Sequence, residues 1–271
     1  MKTRRMDYHL HTSHSMDCER TMDSLCRRAL ALGLDEICVT DHIEPGHPQR
    51  ELDIPPVWPN WQKDIAQCRE KYPELILRAG IEIGDNAPIR DSIYETLAPL
   101  KLDFHLLSLH LVKNEDPYNQ SYFDGKDQLA AYRDYVEAKW ESIRNYKDYD
   151  AVAHIGYVSK FAPFPKETRP LFYHHAPDLF DEMFKLMARE GKALEINTSG
   201  YLSMDRPIPG DDLIKRYLEL GGEFFTFGSD SHRDDRVYLY VEEAKELVAS
   251  LGGKWQCAFE QRQMKAYPLK P

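Results

Sequence analysis

Short apolar runs alternate with longer amphipathic segments seven times along this chain of 271 residues. The runs typical of strands are Met6–His9, Glu36–Thr40, Leu75–Ile83, Phe104–Leu109, Ala151–His154, Ala193–Asn197 and Phe224–Gly228. The segments typical of helices are Met22–Leu32, Trp58–Tyr72, Ile89–Leu97, Lys126–Asn145, Pro177–Glu190, Asp211–Leu220 and Val237–Ser250. This alternation predicts parallel strands joined by crossover helices. Seven such units in about 250 residues favour a closed or nearly closed α/β barrel, with a doubly wound open sheet as the alternative.

The organisation of the chain is simple. It contains no low-complexity stretch, long linker or internal repeat, so we interpret residues 1–271 as a single domain. The tail from Trp255 to Tyr267 partly alternates between apolar and polar residues. We interpret it as an extra edge strand or as a cover for the barrel.

The composition argues against several classes of protein. The 35 Lys and Arg against 45 Asp and Glu give a formal net charge of −10. A protein that coats nucleic acid would instead need clustered basic side chains. No run of 18 apolar residues exists, and no apolar stretch follows the basic N-terminal residues, so neither a membrane helix nor a secretory signal is expected. Five cysteines without a C-x-x-C pair fit reduced thiols in a cytoplasm.

Residue types that bind metals recur at the ends of the predicted strands. Six of the eleven histidines stand there, each with a polar or acidic companion. The candidates are His9 and His11 with Asp17 in the following loop, Asp41-His42, Glu82, His110, His154, and Asp230 with His232. In an extended chain, a spacing of two residues puts His9 and His11 on one face, where they can share an ion. Because strand ends of an α/β barrel converge on one mouth, these distant residues can meet there.

A single histidine at a strand end is more often structural than a ligand, so the prediction of a metal site depends on the whole set. The histidines interpreted as structural are His47, His105, His174 and His175. His105 has the opposite strand parity to His110 and should point away from the mouth. His14 stays undecided, because it lies in the first loop and could contact substrate close to the ions.

The order of these motifs resembles one known superfamily. An H-x-H pair, an Asp-His pair, a lone Glu, two lone histidines and a final D-x-H are similar to the polymerase-and-histidinol-phosphatase superfamily of phosphoesterases. More narrowly, three connecting segments resemble its bacterial histidinol-phosphate phosphatases: Phe123–Asp127, Leu194–Gly200 and Thr226–His232. The resemblance covers essentially the whole chain. The metal motifs are specific to the superfamily, whereas the substrate assignment depends on the less specific connecting segments.

The resemblance implies a distorted (β/α)7 TIM-like barrel that holds three divalent metal ions. The implied ligands are His9, His11, Glu82 and Asp230 for the first ion, Asp17, His42 and His232 for the second, and His110 and His154 for the third, with Glu82 bridging to the first. Some relatives have a histidine where Asp17 stands, so His14 is the alternative ligand in that loop. A mixed set of histidines and carboxylates without cysteine suits Zn, Mn or Fe better than Mg or Ca.

Phosphate monoesters are very slow to hydrolyse unaided, so such a site must stabilise the transition state strongly. We expect a hydroxide that bridges the first two ions to attack phosphorus, with Asp230 or His232 assisting proton transfer to the leaving alkoxide. The candidate substrate contacts are Lys160, Arg206 and Arg233 for phosphate, Glu115 or Asp116 for an amine or imidazole, and His14. Glu195 and Asn197 share strand parity and are expected to orient ligand histidines.

The resemblance implies hydrolysis of L-histidinol phosphate to L-histidinol and phosphate, a step of histidine biosynthesis. The first alternative is a phosphoesterase for nucleotides or oligonucleotide ends, which would favour a basic approach that this acidic chain lacks. The second is a non-catalytic regulatory or metal-storage module, although candidate ligands stand at every expected position. The expected partner is a small-molecule phosphate ester, with no nucleic acid and no membrane. The oligomeric state stays open.

Overall fold

A computed structural model describes residues 3–49 and 55–270, so residues 1 and 2 of the basic N-terminal stretch lie outside it. Its strands are β1 (Met6–Leu10), β2 (Glu36–Ile43), β3 (Ile76–Gly84), β4 (Phe104–Ser108), β5 (Ala151–Val152), β6 (Ala193–Asn197), β7 (Phe224–Gly228), β8 (Trp255–Glu260) and β9 (Gln263–Pro268). Its α-helices are α1 (Met22–Ala31), α2 (Trp58–Lys71), α3 (Arg90–Leu97), α4 (Gln128–Asn145), α5 (Tyr157–Phe161), α6 (Pro177–Arg189), α7 (Tyr201–Met204), α8 (Asp211–Glu219) and α9 (Val241–Ser250). Short 3-10 helices span Ala87–Ile89, Gln120–Phe123, Tyr173–His175, Thr198–Gly200 and Asp234–Arg236.

The first seven strands form the wall of a barrel. They run parallel, and neighbours in the sequence are neighbours in the sheet. Beyond the carboxyl end of β7 the Asp230 amide donates to the His9 carbonyl of β1 at 2.9 Å, and the His11 amide donates to the Ser231 carbonyl at 3.2 Å. The sheet therefore closes on itself, which confirms the predicted barrel and excludes the open sheet. The carboxyl ends of seven strands surround one mouth.

The tail is both an edge and a cover. β8 pairs in parallel with β7, and β9 pairs antiparallel with β8. The inner residues of β8 pack against strand residues at the end of the barrel opposite the mouth. We call this cluster the floor; it comprises Met6, Tyr8, Cys38, Phe104, Leu106, Ala151, Ala153, Ala193, Cys257, Ala258 and Phe259.

β1 carries one extra residue relative to its neighbour. Three steps along β1, from Asp7 to Leu10, match two steps along β2. Such a bulge shifts the alternation of side chains between the two faces of a strand. As a result, Tyr8 packs into the floor while the adjacent His9, together with His11, faces the mouth.

Local sequence sets the helix boundaries. Thr21 and Asp127 cap α1 and α4, because each side chain accepts a hydrogen bond from a backbone amide three residues on, at 3.2 and 2.8 Å. α9 begins at Val241 rather than at the predicted Val237, since Tyr240 adopts a φ of 62° and interrupts the helix. In the part of the chain that the structure describes, no helix has the length and apolar character to cross a bilayer.

Candidate active site

Nine side chains predicted as metal ligands meet at the mouth of the barrel. Eight of them form four overlapping sets of three donors, and Asp17 contacts His232. The three groups named below are the ligand sets that the resemblance implies, and His42 of the second group also lies 3.0 Å from Glu82 Oε2 through Nδ1.

In the first group, Glu82 Oε2 lies 3.1 Å from His9 Nε2 and 3.6 Å from His11 Nε2. Asp230 Oδ1 lies 3.7 and 3.5 Å from the same two nitrogens. The end of β3 thus presents the Glu82 carboxylate to His9 of β1 and to His11 just after it. Asp230 completes a set of four converging ligand atoms.

The second group forms around Asp17. Its Oδ2 lies 3.1 Å from His232 Nε2 and 3.7 Å from His42 Nε2. The alternative residue of this loop, His14, instead contacts Asp64 of α2 through Nε2 at 2.9 Å. The geometry therefore favours Asp17 over His14 as the loop ligand.

The third group shares Glu82 with the first. His110 Nε2 and His154 Nε2 are 3.4 Å apart. Glu82 Oε1 lies 3.5 Å from the former and 2.8 Å from the latter. The two oxygens of Glu82 consequently face different groups, as expected for a bridging carboxylate.

The donor atoms fit bound cations. Those buried without a hydrogen-bond partner among the described residues include His9 Nε2, His11 Nε2, His232 Nε2 and Glu82 Oε2. An unpaired buried polar atom is costly to the fold. The close approach of two imidazole nitrogens in the third group is favourable only with a proton or a cation between them. Imidazole and carboxylate donors together suit divalent transition metals.

Buried carboxylates orient two of the histidines from behind. His9 Nδ1 lies 2.5 Å from Glu195 Oε1, and His110 Nδ1 lies 2.7 Å from Glu44 Oε1. A hydrogen bond from Nδ1–H to a carboxylate fixes the tautomer and leaves the Nε2 lone pair free for an ion. Glu195 thus has the position expected of an orienting residue, and Glu44 is a second such residue that sequence analysis missed.

His11 is oriented through a serine. Ser15 Oγ donates to Asp41 Oδ1 at 2.8 Å. Because this bond uses the one hydroxyl hydrogen, His11 Nδ1 at 3.2 Å and the His42 amide at 3.1 Å must both donate to Ser15 Oγ. His11 therefore carries its proton on Nδ1 and presents Nε2 to the first group. Trp61 Nε1 donates to Asp41 at 2.9 Å and holds this carboxylate in place.

Carboxylates and histidines of the site shift each other's pKa. Burial opposes protonation of His9, yet the carboxylates of Glu82 and Glu195 raise its pKa well above the usual range. Burial also opposes ionisation of Glu82, but His9 and His42 hold its pKa well below the usual range. Glu82 is consequently ionised, and a cation that binds beside His9 displaces a proton from this histidine.

Two glycines make room for these side chains. A Cβ atom on Gly84 would lie 1.8 Å from Glu44 Oε2, and one on Gly228 would lie 2.3 Å from the Cβ of His9. No substituted residue fits at either position while the carboxylate and the histidine stay in place.

Two of the candidate ligands have unusual backbone conformations. His154 has a φ of 21° and Asp230 a φ of 51°, a region that residues other than glycine rarely occupy. β5 leaves the sheet at Val152, two residues before its predicted end, and the chain then turns to aim His154 at the mouth. Two of the nine described residues other than glycine that have positive φ are thus candidate ligands.

A cavity of about 190 Å³ opens at the ligand groups. Lys160, predicted as a phosphate contact, lines it and places Nζ 3.0 Å from Asp230 Oδ2. Asn197 Nδ2 and Ser199 Oγ contact the same oxygen at 3.4 and 3.2 Å. Asp230 therefore directs Oδ1 to the first ligand group and Oδ2 to a lysine at the cavity wall.

The part of the cavity lining next to Lys160, which we call the aromatic wall, consists of His47, Asp116, Tyr118, Tyr157 and Phe161. Asp116 is buried and accepts a hydrogen bond from Tyr157 OH at 3.2 Å, and its other oxygen lies 3.5 Å from His47 Nε2. The rings of Tyr118 and Phe161 meet edge to face at 4.8 Å. This wall combines one carboxylate with aromatic surface.

Comparison with known proteins gives the same assignment as the motifs. The model of the PHP domain family matches residues 7–199. This chain belongs to the PHP domain family. It is 26% identical over 251 residues to the histidinol-phosphatase of Lactococcus lactis subsp. lactis, covering 92% of each chain. It is 27% identical over 262 residues to a protein of Clostridium acetobutylicum named probable histidinol-phosphatase, covering 96% of this chain and 98% of the other.

The fold has a close counterpart among solved structures. The chain resembles the histidinol phosphate phosphatase of Lactococcus lactis in complex with zinc, L-histidinol and phosphate, with a TM-score of 0.89 and 25% identity. The match covers 97% of this chain and 99% of that one. The predicted membership of the PHP superfamily and the predicted barrel are both confirmed.

Two predicted phosphate contacts lie away from the cavity of this PHP barrel. Arg206 pairs with Asp211 at 3.1 Å, and its guanidinium lies over the Phe172 ring. Arg233 is exposed and pairs with Asp235 at 3.1 Å. Both residues follow the end of a strand in the sequence. That spacing places a residue near the mouth, but local ion pairs decide where a long side chain points.

Glu115 also differs from its predicted position. It is exposed and does not line the cavity, whereas the adjacent Asp116 is buried and does. Lys113 and Asn114 form a tight turn with φ of 52° and 66°, and the backbone of Val112 pairs with that of Glu115 across it. The chain continues from this pairing into the barrel mouth, so the inward carboxylate is the one that follows Glu115.

His47, interpreted as structural from the sequence, lines the cavity. Its place in the loop after β2, beyond Asp41-His42, is a signal that could have indicated this. Glu44 could also have been found, since it follows His42 at a spacing of two residues. His105 points away from the mouth as expected, toward the Asp148 carbonyl.

Proposed function

We propose that this protein is a single-domain, metal-dependent phosphatase that hydrolyses L-histidinol phosphate to L-histidinol and phosphate. The observation that carries the proposal is the meeting of nine candidate ligands at one mouth. The barrel that presents them matches a histidinol phosphate phosphatase that binds zinc, L-histidinol and phosphate over 97% of this chain.

We propose three divalent ions, one for each ligand group, with Zn, Mn or Fe as the candidates. Bound ions of this kind lower the pKa of a water to near 7 and neutralise charge on phosphoryl oxygens. The chain contributes the fixed positions of the ligands. Glu82 links the first and third groups, and Asp17 holds His42 and His232 together in the second.

Lys160 and Asp230 are placed for work on the phosphoryl group and the leaving oxygen. The Lys160 ammonium lines the cavity and can hold a phosphoryl oxygen by a charge-assisted hydrogen bond. Asp230 Oδ2 faces the cavity side, where Ser199 and Lys160 contact it.

Burial opposes ionisation of Asp230, but Lys160 and His9 hold its pKa well below the usual range. The ionised carboxylate would therefore act as a relay that takes the proton of the attacking water or hydroxide and passes it to the leaving alkoxide. His232 directs Nε2 at Asp17 and has less freedom for this step. Asp230 is therefore the better proton carrier.

The aromatic wall supports a substrate with a cationic or imidazole-bearing leaving group. Asp116 can accept a hydrogen bond from a substrate ammonium or imidazole N–H. Tyr118 and Phe161 offer ring faces and edges for an imidazole. The sequence predicts Glu115 or Asp116 as the contact for a substrate amine or imidazole, and we assign this contact to Asp116.

The decisive experiment measures kcat/KM for phosphate release from L-histidinol phosphate and from a nucleoside monophosphate, side by side with Mn²⁺ supplied. We expect a preference of several orders of magnitude for L-histidinol phosphate. Comparable or reversed values would move the substrate to nucleotides. Absence of turnover on both would leave a regulatory or metal-storage module. The double variant H9A/H11A is the control for metal dependence and should be inactive but folded.

A matched pair of variants tests the aromatic wall. Asp116→Asn should lower kcat/KM for L-histidinol phosphate by about tenfold to a hundredfold, because a charged hydrogen bond is lost. It should leave hydrolysis of phenyl phosphate, which has no amine, nearly unchanged. Glu115→Gln makes the same charge change one residue away and should affect neither substrate. Equal losses on both substrates in Asp116→Asn would contradict a role in recognising the leaving group.

A further inference from the structure

Helix α4 contacts the barrel wall through two buried polar side chains. Tyr135 OH donates to the His154 carbonyl at 3.3 Å, and Lys139 Nζ donates to the Leu107 carbonyl at 3.3 Å. Both side chains are 0% exposed. The remaining buried face of this helix is formed largely by Ala131, Tyr132, Val136 and Ile143. The two polar contacts are therefore departures from an otherwise packed interface.

A lysine at this position is unexpected on stability grounds. Burial of an ammonium is unfavourable unless it is paired and fully hydrogen-bonded. Within residues 3–49 and 55–270, the Leu107 carbonyl is the hydrogen-bond partner found for Lys139 Nζ. An apolar side chain of similar length would pack there without that cost. The presence of a lysine at this buried position is explained by where the Leu107 carbonyl lies, because Lys139 Nζ donates to it.

Both carbonyls belong to the segments that present the third ligand group. Leu107 lies in β4, three residues before His110, and its carbonyl also accepts the Ala153 amide at 2.9 Å. That amide directly precedes His154. The Leu107 carbonyl thus links β4, which leads to His110, with β5, which leads to His154. Lys139 donates to this same carbonyl.

Tyr135 acts on the strained side of this link between β4 and β5. His154 has a φ of 21°, and the hydroxyl of Tyr135 bonds its carbonyl. The same hydroxyl accepts the Gly156 amide at 3.5 Å, across the turn that leads away from β5. A conformation of this kind persists only where its surroundings hold it.

We propose that Tyr135 and Lys139 are positioning residues that hold His110 and His154 in the geometry of the third ion. The inference depends on the proposed metal-dependent function, although it concerns one ligand group only.

In the first group Glu195 contacts His9 and Ser15 contacts His11, and Ser15 also accepts the His42 amide of the second group. In the third group Glu44 contacts His110 and Glu195 accepts the His154 amide, and the contacts of Tyr135 and Lys139 add to these. Loss of the α4 contacts should therefore weaken one ion and leave two.

The test uses Tyr135→Phe and Lys139→Met, with Tyr132→Phe as the matched control. Tyr132 lies on the same face of α4, but its hydroxyl donates to the Arg169 carbonyl, away from β4 and β5. Each protein is loaded with Zn²⁺ and titrated with a competing chelator, and the ions retained per chain are counted. The melting temperature of each metal-free chain is measured in parallel.

We expect the two α4 variants to bind one of three ions about tenfold to a hundredfold more weakly, the scale found for residues that orient metal ligands. Tyr132→Phe should retain all three ions like the unmodified chain. Unchanged zinc affinity in the double variant Y135F/K139M would overturn the proposal. Equal weakening of all three ions would also overturn it, because it would indicate a general loss of structure.

The readout separates this inference from the proposed substrate. If the unmodified chain binds three ions and the α4 variants lose one, the positioning role stands whether or not L-histidinol phosphate is hydrolysed. If the unmodified chain binds fewer than three ions and His110→Ala retains all of them, the third ligand group holds none and the positioning role is overturned with it.

Discussion

Polar groups that are buried at the two ends of the barrel differ in whether they have hydrogen-bond partners. At the floor, Tyr8 OH donates to Glu36 at 2.6 Å and accepts the Phe259 amide at 2.9 Å. At the mouth, His9 Nε2 and Glu82 Oε2 are just as buried and have no hydrogen-bond partner in the described part of the chain. The Tyr8 hydroxyl therefore has its partners within the protein. The two atoms at the mouth gain a partner when a proton or a cation binds between them.

Both ends also contain residues with positive φ, for different reasons. At the floor, Gln261 and Arg262 form the two-residue turn between β8 and β9, and both their amides bond to Asp103, at 2.9 and 3.0 Å. Positive φ at both positions is what such a hairpin turn favours. At the mouth, His154 and Asp230 hold positive φ as candidate ligands. The difference teaches that this barrel is stabilised at its floor and strained at its mouth.

The substitution Glu82→Gln should have the largest effect at the mouth. The amide keeps the size of the side chain but removes the charge that the first and third groups share. We expect kcat/KM for L-histidinol phosphate to fall by about 10³-fold or more, since electrostatic stabilisation of the transition state depends on this site. The melting temperature of the metal-free chain should change by a few degrees at most. A kcat/KM within about tenfold of the unmodified chain would contradict the bridging role.

At the floor, Phe259→Ala should do the reverse. Phe259 is buried against Phe104 at a ring distance of 4.9 Å, and its removal leaves a cavity. We expect the free energy of unfolding, measured in urea, to fall by about 3 to 5 kcal/mol with kcat little changed. Phe161→Ala, on the aromatic wall of the mouth, is the mirror control and should raise KM with a smaller loss of stability. A large loss of kcat in Phe259→Ala would contradict the prediction that the floor affects stability and the mouth affects catalysis.

The fold could be predicted because its signals are local. Strand and helix periodicities repeat along the chain, and β6 and β7 have the predicted bounds, Ala193–Asn197 and Phe224–Gly228. The ligand positions follow from topology, since the carboxyl ends of parallel strands in a barrel meet. Periodicity alone could not predict the bulge of β1. One extra residue lets both Tyr8 and His9 face inward, and this does not visibly change the alternation of apolar and polar residues in the sequence.

The substrate contacts were harder to predict because they depend on loops. Proximity to a strand end does not fix the direction of a long side chain, and Arg206 and Arg233 turn to acidic neighbours instead. A shift of one residue separates the exposed Glu115 from the buried Asp116. Lys160 lies in α5, which begins soon after β5. Because this connection is short, the Lys160 side chain lines the cavity as predicted.

Lys139, which is buried behind the mouth, is expected to lower the stability of the fold in a way that depends on pH. Burial lowers the pKa of Lys139 to about 7, although the carboxylates of Glu195, Glu82, Asp85 and Glu44 act in the opposite direction. In the unfolded chain a lysine keeps a pKa near 10.4. Between these values the unfolded chain binds more protons, so the contribution of Lys139 to stability becomes less unfavourable as pH rises.

Lys139→Met removes this dependence. The metal-free variant should be more stable than the unmodified chain at pH 7, and its advantage should shrink by about 2 kcal/mol between pH 7 and pH 9. Urea unfolding of both chains at each pH measures this. Lys113→Met, at an exposed position where Asp134 raises the pKa of the lysine, should show no such shrinking advantage. An advantage independent of pH would mean that Lys139 is charged in the folded chain throughout this range.

The smallest effect is expected from Arg206→Ala, and it separates nearness in sequence from nearness in space. Arg206 follows β6 closely, but its guanidinium pairs with Asp211 outside the cavity. We expect KM for L-histidinol phosphate to stay unchanged and stability to fall by at most about 1 kcal/mol, the scale of a surface ion pair. Lys160→Ala, which removes a cation that lines the cavity, should lower kcat/KM by about tenfold to a hundredfold. If Arg206→Ala raised KM as much as Lys160→Ala lowers kcat/KM, the loop after β6 would have to move over the mouth when substrate binds, and the mouth would then extend further than the cavity seen here.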